Sequence, residues 1–470
     1  EDSYNHKADL SFPFPLLNQK QLFKVGVNYL HRKRTFGENV LYLPGSNFSN
    51  TGAIPLYEVN GDLDRLVGYD RIGIHPASSY PGEGQPRVGG YLYNTLKSPN
   101  NYKGYFETRA FYGMLDLGLT EQLRLTGGVR FELTDIKSVV DTSNVFLDAS
   151  ITTVDANGNK VNMVYVEPNS IYKTDYTPYY SANLTYTINR NMNFRLGYNN
   201  SLARPELREL TNVFDFDPFQ FALVVGNPHL KNQKTTNYDF RWEWFPASGE
   251  VLSASLFYKQ IDNQLTKVFK QNSKGLDARF PEFPAIEFQN DPNRGHVYGV
   301  ELEIVKNLGW VSSALNYFFI GSNLLLAQSN IKKTPERLES SRAIDRRSPS
   351  NSPLFEQAPY SVNVFLNYAN RKSGTDLTTS FNMVGERLIQ VNLDGTPDLY
   401  TRPLPVFDIV LSQQLTKRLQ FKGFAKNVLD KPYEEVYANP GTGGKFYGTK
   451  YVRRSYKRGA ELMVGLTYIL

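Results

Sequence analysis

The chain contains no cysteine, which removes disulfide staples and thiolate metal sites while leaving the compartment open. Only five histidines occur (His6, His31, His75, His229 and His296), scattered with no pair at metal-ligand spacing, so each is read as solvated or hydrogen-bonded. No apolar run approaches the ~20 residues that a membrane-spanning helix needs. The opening residues Glu1-Asp2-Ser3 bring no initiator Met, no basic segment and no apolar leader. They imply either a signal peptide already removed or a start in mid-protein, the second fitting the abrupt beginning better. A formal charge of +6 over 470 residues is modest, and no basic cluster points to a nucleic-acid partner.

What is present is aromatic and alternating. The 31 Tyr, 30 Phe and 35 Gly recur along the whole length, so residues 1–470 read as one β-barrel unit and not as two or three domains. A mean hydropathy of −0.43 suggests a soluble protein. That average misleads when each lipid-facing residue is followed by a polar, lumen-facing one. Leu123, Leu125, Val129, Phe131 and Leu133 oppose Arg124, Thr126, Gly128, Arg130 and Glu132. Tyr238, Phe240, Trp242 and Trp244 alternate with Asn237, Asp239, Arg241 and Glu243, and the period of two returns at 192–199, 298–304 and 456–470. Charges in mid-strand need a wet compartment, which a water-filled or plugged lumen supplies.

The links between these strands alternate in length. Tight turns are expected near Thr120-Glu121, Ile188-Asn189-Arg190, Pro246–Gly249, Asn307-Leu308-Gly309, Asn370-Arg371-Lys372 and Thr416-Lys417. Long loops are expected near 36–104, 137–173, 201–234, 267–294, 327–357, 388–403 and 430–455. Short turns at one end and long loops at the other are the pattern of outer-membrane barrels, with turns periplasmic and loops extracellular. A compact soluble domain rarely tolerates so many long irregular links. The fold expected is therefore an all-β, antiparallel, up-and-down transmembrane barrel in a bacterial outer membrane. About fifteen strands are visible, beginning near 3–14 and 20–35, and the last places Leu470 on the periplasmic side. Single-chain bacterial barrels have even strand numbers, so this odd count suggests part of a larger barrel.

Several segments resemble the TonB-dependent receptors of Gram-negative outer membranes. The most specific is Ser201-Leu202-Ala203-Arg204-Pro205-Glu206-Leu207-Arg208-Glu209-Leu210, followed by Val225-Gly226-Asn227-Pro228-His229-Leu230 and an aromatic strand at 238–245. Tyr298–Glu303 and Lys426-Asn427-Val428-Leu429-Asp430 match further. The terminal strand is also similar, although the family commonly ends on an aromatic residue and this chain ends on Leu470. The resemblance covers roughly the whole chain. It implies a 22-stranded barrel closed by an N-terminal plug and energised through a TonB box. The first strand here would then be about the eighth, with plug and earlier strands upstream of Glu1 or on another chain, and this stretch alone could neither gate nor couple.

On this resemblance the expected function is import of a scarce nutrient of siderophore, glycan or peptide class. The partners implied are a plug domain, the TonB complex, outer-membrane lipid and lipopolysaccharide, and a surface lipoprotein. A plug-less diffusion porin and a non-transporting barrel subunit are the alternatives. Phe214, Phe216, Phe219 and Phe221 either line a ligand site above the lumen or pack their loop onto its neighbours. Arg204, Glu206, Arg208 and Glu209, with Arg195 and Arg241 on the lumen side, either contact a plug or ligand or form a network within the wall. Lys332, Lys333, Arg337, Arg342, Arg346 and Arg347 make one loop basic, as a solvated face or an anion site. Asp155–Asn159 lacks a full calcium-ligand set, and Asn439–Lys445 lacks the strand–loop–helix context of a phosphate cradle. No nucleophile constellation stands out, so neither an enzyme nor a cofactor is expected.

Overall fold

The computed structural model describes residues 1–37, 101–140, 169–211, 213, 222–270, 284–393, 395–438 and 451–468. It also gives the backbone of short strands at 41–42, 74–75, 87–88, 93–94, 152–154, 160–162 and 214–217.

In chain order the first elements are β1 (Asp2–Leu16), β2 (Gln19–Phe36), β3 (Tyr102–Gly118), β4 (Leu123–Val140), β5 (Asn169–Lys173), β6 (Thr177–Asn189), β7 (Met192–Ala203) and a short helix α1 (Leu207–Leu210). Next come β8 (Phe214–Asp217), β9 (Ala222–Val225), β10 (Gln233–Trp244), β11 (Val251–Asp262), β12 (Leu265–Lys270), β13 (Ala285–Asn290), β14 (Gly295–Asn307) and β15 (Phe318–Lys332). Helix α2 (Pro335–Ile344) precedes β16 (Tyr360–Asn370), β17 (Thr375–Val384), β18 (Arg387–Asn392), β19 (Leu399–Thr401), β20 (Leu404–Gln414) and β21 (Leu419–Lys426). The last three are β22 (Tyr433–Tyr437), β23 (Val452–Tyr456) and β24 (Glu461–Tyr468).

One 17-stranded antiparallel sheet forms a wall. Two of its strands, β5 and Asn351–Ser352, only extend neighbours, and the remaining fifteen run up and down as β1-β2-β3-β4-β6-β7-β10-β11-β14-β15-β16-β17-β20-β21-β24. Among the described residues, β1 pairs only with β2 and β24 only with β21.

Tight turns close one end of the wall for local reasons. Leu17 and Asn18 both take positive φ (56° and 57°), the geometry of a two-residue hairpin turn. Elsewhere an Asn or Thr side-chain oxygen accepts a backbone N–H two or three residues on. Thr120 takes that of Leu123 (3.0 Å), Asn189 that of Asn191 (2.9 Å), Asn370 that of Lys372 (2.9 Å) and Thr416 that of Leu419 (3.0 Å).

The two faces of the wall differ as the alternation requires. Val27, Phe111, Tyr180, Leu196, Leu256, Leu302 and Leu326 lie on the outward face and are exposed. Tyr198, Tyr238, Tyr258 and Tyr298 stand in register across four neighbouring strands as a belt. The inner face is polar and internally paired, the cheapest way to carry charge within a wall. On it Asp116 accepts Arg124 at 2.5 Å and hydrogen-bonds Thr126 at 3.0 Å.

A second sheet lies at the long-loop end. Its eight strands run β8-β9-β13-β12-β18-β19-β22-β23, drawn from four different connections. Two junctions in it are parallel, β9 with β13 and β12 with β18. Val268, Leu388, Val391, Tyr400, Val436 and Ala438 form the apolar core beneath it. A separate core joins Leu207, Leu210, Val213 and Leu230 to Tyr102, Phe106, Ile136 and Val140 on the inner face of β3 and β4.

The terminal alternation is not one strand. Gly459 takes φ of +84° and its N–H reaches the Asp430 carboxylate at 3.0 Å, so the segment breaks into β23 and β24.

Candidate functional site

The joined connections enclose a cavity of about 760 Å³ over the mouth of the wall. Its lining comes from the α1 connection, the β11–β14 and β15–β16 connections, β18–β19 and β22–β23. Corners in the chain aim these segments inward. Asn263, between β11 and β12, takes φ of +56°, a conformation that Asn tolerates better than most residues. Asn427 and Asp430, between β21 and β22, take φ of +51° and +38°. The Asn427 N–H donates to Asp408 at 2.8 Å and its side-chain amide to the Gly459 carbonyl at 2.8 Å. The segment Lys426–Asp430 is therefore the corner at which the chain leaves the wall for the loop sheet.

The cavity mixes apolar, amide and charged groups. Phe288, Phe355 and Leu399 supply apolar surface, and Gln264 and Gln390 supply buried amides. The Gln264 amide donates to the Phe355 carbonyl at 3.2 Å, while its oxygen, buried, accepts nothing from a described residue. Three carboxylates (Glu209, Glu356, Glu435) and three cations (Lys267, Arg453, Arg454) line the space, so its formal charge is zero. Arg453 binds Glu435 at 2.8 Å. Burial pushes the Glu209 carboxyl above the usual carboxylate range, against the opposing pull of the Glu206 N–H that it accepts at 2.8 Å.

Helix α2 braces this roof. Thr334 caps it by accepting the Arg337 N–H, and Pro335 occupies its first turn. Arg337 is buried and binds Asp398 at 2.7 Å. Burial works to lower the Arg337 pKa, but Asp398 outweighs it and the net direction is upward. Ser340 donates to the Asn392 carbonyl at 3.2 Å and accepts the Gly395 N–H at 3.1 Å. Lys333 is also buried, which pushes its ammonium pKa down, and it donates to Ser341 at 3.2 Å. Arg347 pairs with Asp345 at 3.3 Å.

The remaining residues singled out in the sequence fall into separate places. Arg204 pairs with Glu132 and donates to Thr134 at 3.0 Å on the inner face of β4, with its guanidinium 5.8 Å from the Phe106 ring. Glu206 is the N-cap of α1 and Glu209 lies within it, and Arg208 donates to the Val224 carbonyl at 3.0 Å. Arg195 and Arg241 lie lower on the wall, where both bind Glu243 at 2.8 Å and Arg241 also binds Glu303 at 2.7 Å. Only Glu209 of this group reaches the cavity. Phe214 and Phe216 belong to β8, at an edge of the loop sheet, with side chains outside the described residues. Phe219, Phe221, Asp155–Asn159 and 439–445 also lie outside the described residues.

Among curated protein sequences none matches this chain. Solved structures do. The ferric-catecholate import receptor Fiu from E. coli K12 has 16% identity and a TM-score of 0.58 over 99% of this chain and 54% of its own. The siderophore receptor PiuA from Acinetobacter baumannii has 12% identity and a TM-score of 0.58 over 99% of this chain and 55% of its own. The copper transporter OprC has 11% identity and a TM-score of 0.51 over 99% and 62%. The chain thus spans about half the length of the first two, and at these identities the likeness is one of fold. The family described as "TonB dependent receptor-like, beta-barrel" matches residues 1–428. A meandering wall with an apolar outward face, short turns at one end and joined long loops at the other agrees with that match, and the chain belongs to the TonB-dependent receptor β-barrel family.

Proposed function

We propose that the chain forms the outer-membrane wall and ligand-collecting mouth of a TonB-dependent importer of a scarce nutrient. The carrying observation is the cavity of about 760 Å³ beneath the joined loops, a size suited to a small ligand. Its rings, amides and balanced charge suit a siderophore, glycan or peptide fragment. Fiu, PiuA and OprC are receptors or transporters for ferric catecholates, siderophores and copper, which supports a small, scarce cargo. Phe214, Phe216, Phe219 and Phe221, which follow α1 in the sequence, are proposed to add to the ligand surface. Arg204 and Arg208 are proposed to hold the α1 connection in place, and Arg195 and Arg241 to face a plug domain across the lumen. The partners this reading requires are that plug, the TonB complex and the lipid and lipopolysaccharide of an outer membrane. It assigns the chain no catalytic step.

The test is uptake by cells producing the full-length protein, offered a labelled ferric siderophore, an oligosaccharide and a peptide in turn. One class should enter saturably, cease when TonB is absent, and enter more weakly with Gln264→Leu. Non-saturable entry that survives loss of TonB would replace import with passive diffusion through a pore.

A further inference from the structure

The loop sheet is open along its middle. β12 and β18 share only the pairs Val268 with Val391 and Phe269 with Asn392, and on the wall side of Val268 the ladder stops. There Leu265, Thr266 and Lys267 of β12 and Ile389 and Gln390 of β18 line the cavity instead of pairing with each other. The Asp291 N–H donates to the Gln264 carbonyl at 2.8 Å, so Gln264, and by alternation Thr266, turn their backbone groups toward β13. Leu265 and Lys267 turn theirs the other way, as does Phe269, whose carbonyl accepts the Leu393 N–H at 2.9 Å. Lys267 therefore presents main chain at an open strand edge beside the cavity. An extended segment of the chain already enters the foot of this gap. Phe355 bridges Leu388 in parallel, the Glu356 N–H donates to the Leu388 carbonyl at 2.8 Å, and the Gln264 amide donates to the Phe355 carbonyl from the opposite side.

The side chains around the gap set the chemistry of an occupant. Gln264 is 6% exposed, and its buried oxygen is an acceptor with no donor among the described residues. Of the six charges on the lining, Arg453 and Arg454 both face Glu435, at 2.8 and 3.9 Å. Burial biases Glu209 toward the neutral acid. Lys267 and Glu356 form no ion pair with a described residue. The Lys267 ammonium lies 6.0 Å from the Phe288 ring, and Glu356 is held at φ of +59°, a conformation that a non-glycine residue rarely adopts.

We propose that the cavity takes a short linear peptide with free termini, lying as an added strand between β12 and β18, its ammonium toward Glu356 and its carboxylate toward Lys267. Such a peptide is the cargo of the importer proposed above, and the site rests on that reading. A ferric catecholate carries several charges of one sign, and this lining has no net positive charge to hold it. A neutral oligosaccharide would leave Lys267 and Glu356 unused. A peptide brings backbone N–H and C=O groups for the open edge and for Gln264, and opposite charges at its two ends. Phe288, Phe355 and Leu399 remain to receive its side chains.

The experiment is equilibrium dialysis of the full-length protein in detergent against three probes: a pool of mixed-sequence tetrapeptides, a pool of gluco-oligosaccharides and a ferric catecholate. The peptide pool should be the one retained. Acetylating its amine or amidating its carboxylate should each lower affinity about tenfold. Glu356→Gln should abolish the sensitivity to acetylation and Lys267→Gln the sensitivity to amidation, while Lys267→Arg keeps it. Methylating the peptide backbone nitrogens should weaken binding to every variant. Equal retention of capped and free peptides by the wild-type protein sinks the proposal, and so does preferential retention of either other probe. Resistance of the unheated protein to dodecyl sulfate checks that each variant is folded. TonB-dependent uptake of another cargo, with no peptide bound, defeats the peptide site alone. Absence of TonB-dependent uptake for every class defeats the import reading itself.

Discussion

Gly226 offers a sharp test of how the loop over the inner wall is held. A Cβ built there would overlap the Thr211 carbonyl oxygen, lie 2.8 Å from its carbon and 3.1 Å from the Arg208 oxygen. All three are backbone atoms with little freedom to yield. The same approach lets the Gly226 N–H donate to Val213 at 3.1 Å and the Asn227 N–H to Glu209 at 2.6 Å. Gly226→Ala should therefore lose two backbone hydrogen bonds, each worth ~1 kcal/mol, and add an overpacking penalty of ~1–3 kcal/mol. The sum, ~3–5 kcal/mol, falls on α1 and its connection and not on the wall. Hydrogen exchange of the full-length protein in vesicles should show amides at 204–213 and 222–230 exchanging roughly two to four orders of magnitude faster. Amides of β10 and β11 should be unchanged. Gly113→Ala, where an added Cβ meets nothing within 4 Å, is the control. Exchange in Gly226→Ala within about threefold of wild type would refute the claim that this contact fixes the loop.

Two further predictions address other parts of the molecule. Arg337→Ala strands Asp398 without its buried partner, which should cost ~3–5 kcal/mol locally and speed exchange in α2, β18 and β19 while the wall stays protected; unchanged exchange would make the helix an ornament of the roof. Leu256→Arg places a charge on the outward face between Phe240 and Val300, and should cost ~2–4 kcal/mol in denaturant unfolding of the vesicle-bound protein if that face meets lipid; a neutral result would put this face in water.

How far the sequence carried the reading depends on how local each signal is. The strands at 123–140, 192–203, 233–244 and 295–307 are legible because lipid and lumen impose a period of two on adjacent residues. The turns are legible because Asn and Thr must satisfy backbone N–H groups a few residues away. Helix α2 was obscured by its charge. The run from Lys332 to Arg347 reads as a basic loop, yet Thr334-Pro335 is a start signal for a helix, and Arg337 is buried against Asp398. Nothing local predicts that pair, because the partners are 61 residues apart. The loop sheet is invisible for the same reason: Phe269 meets Asn392 only after the wall has brought their hairpins together. Arg204 left two roles open in the sequence, and its partners Glu132 and Thr134 lie on a distant strand.

The junction of β12 with β18 is only two residue pairs long, Val268 with Val391 and Phe269 with Asn392. It divides the eight strands into two leaves of four, and few backbone bonds hold the leaves together there. Helix α2 straddles that line, with Glu336 on Lys270 of one leaf at 3.2 Å and Arg337 on Asp398 of the other. The four connections that build this sheet are thus not independent flaps. They behave as a pair of shutters with one latch, so that whatever strains a single connection is shared across its whole leaf. Lengthening one connection would disturb the strands beside it as well, which couples these variable segments in evolution more tightly than their distance along the chain suggests.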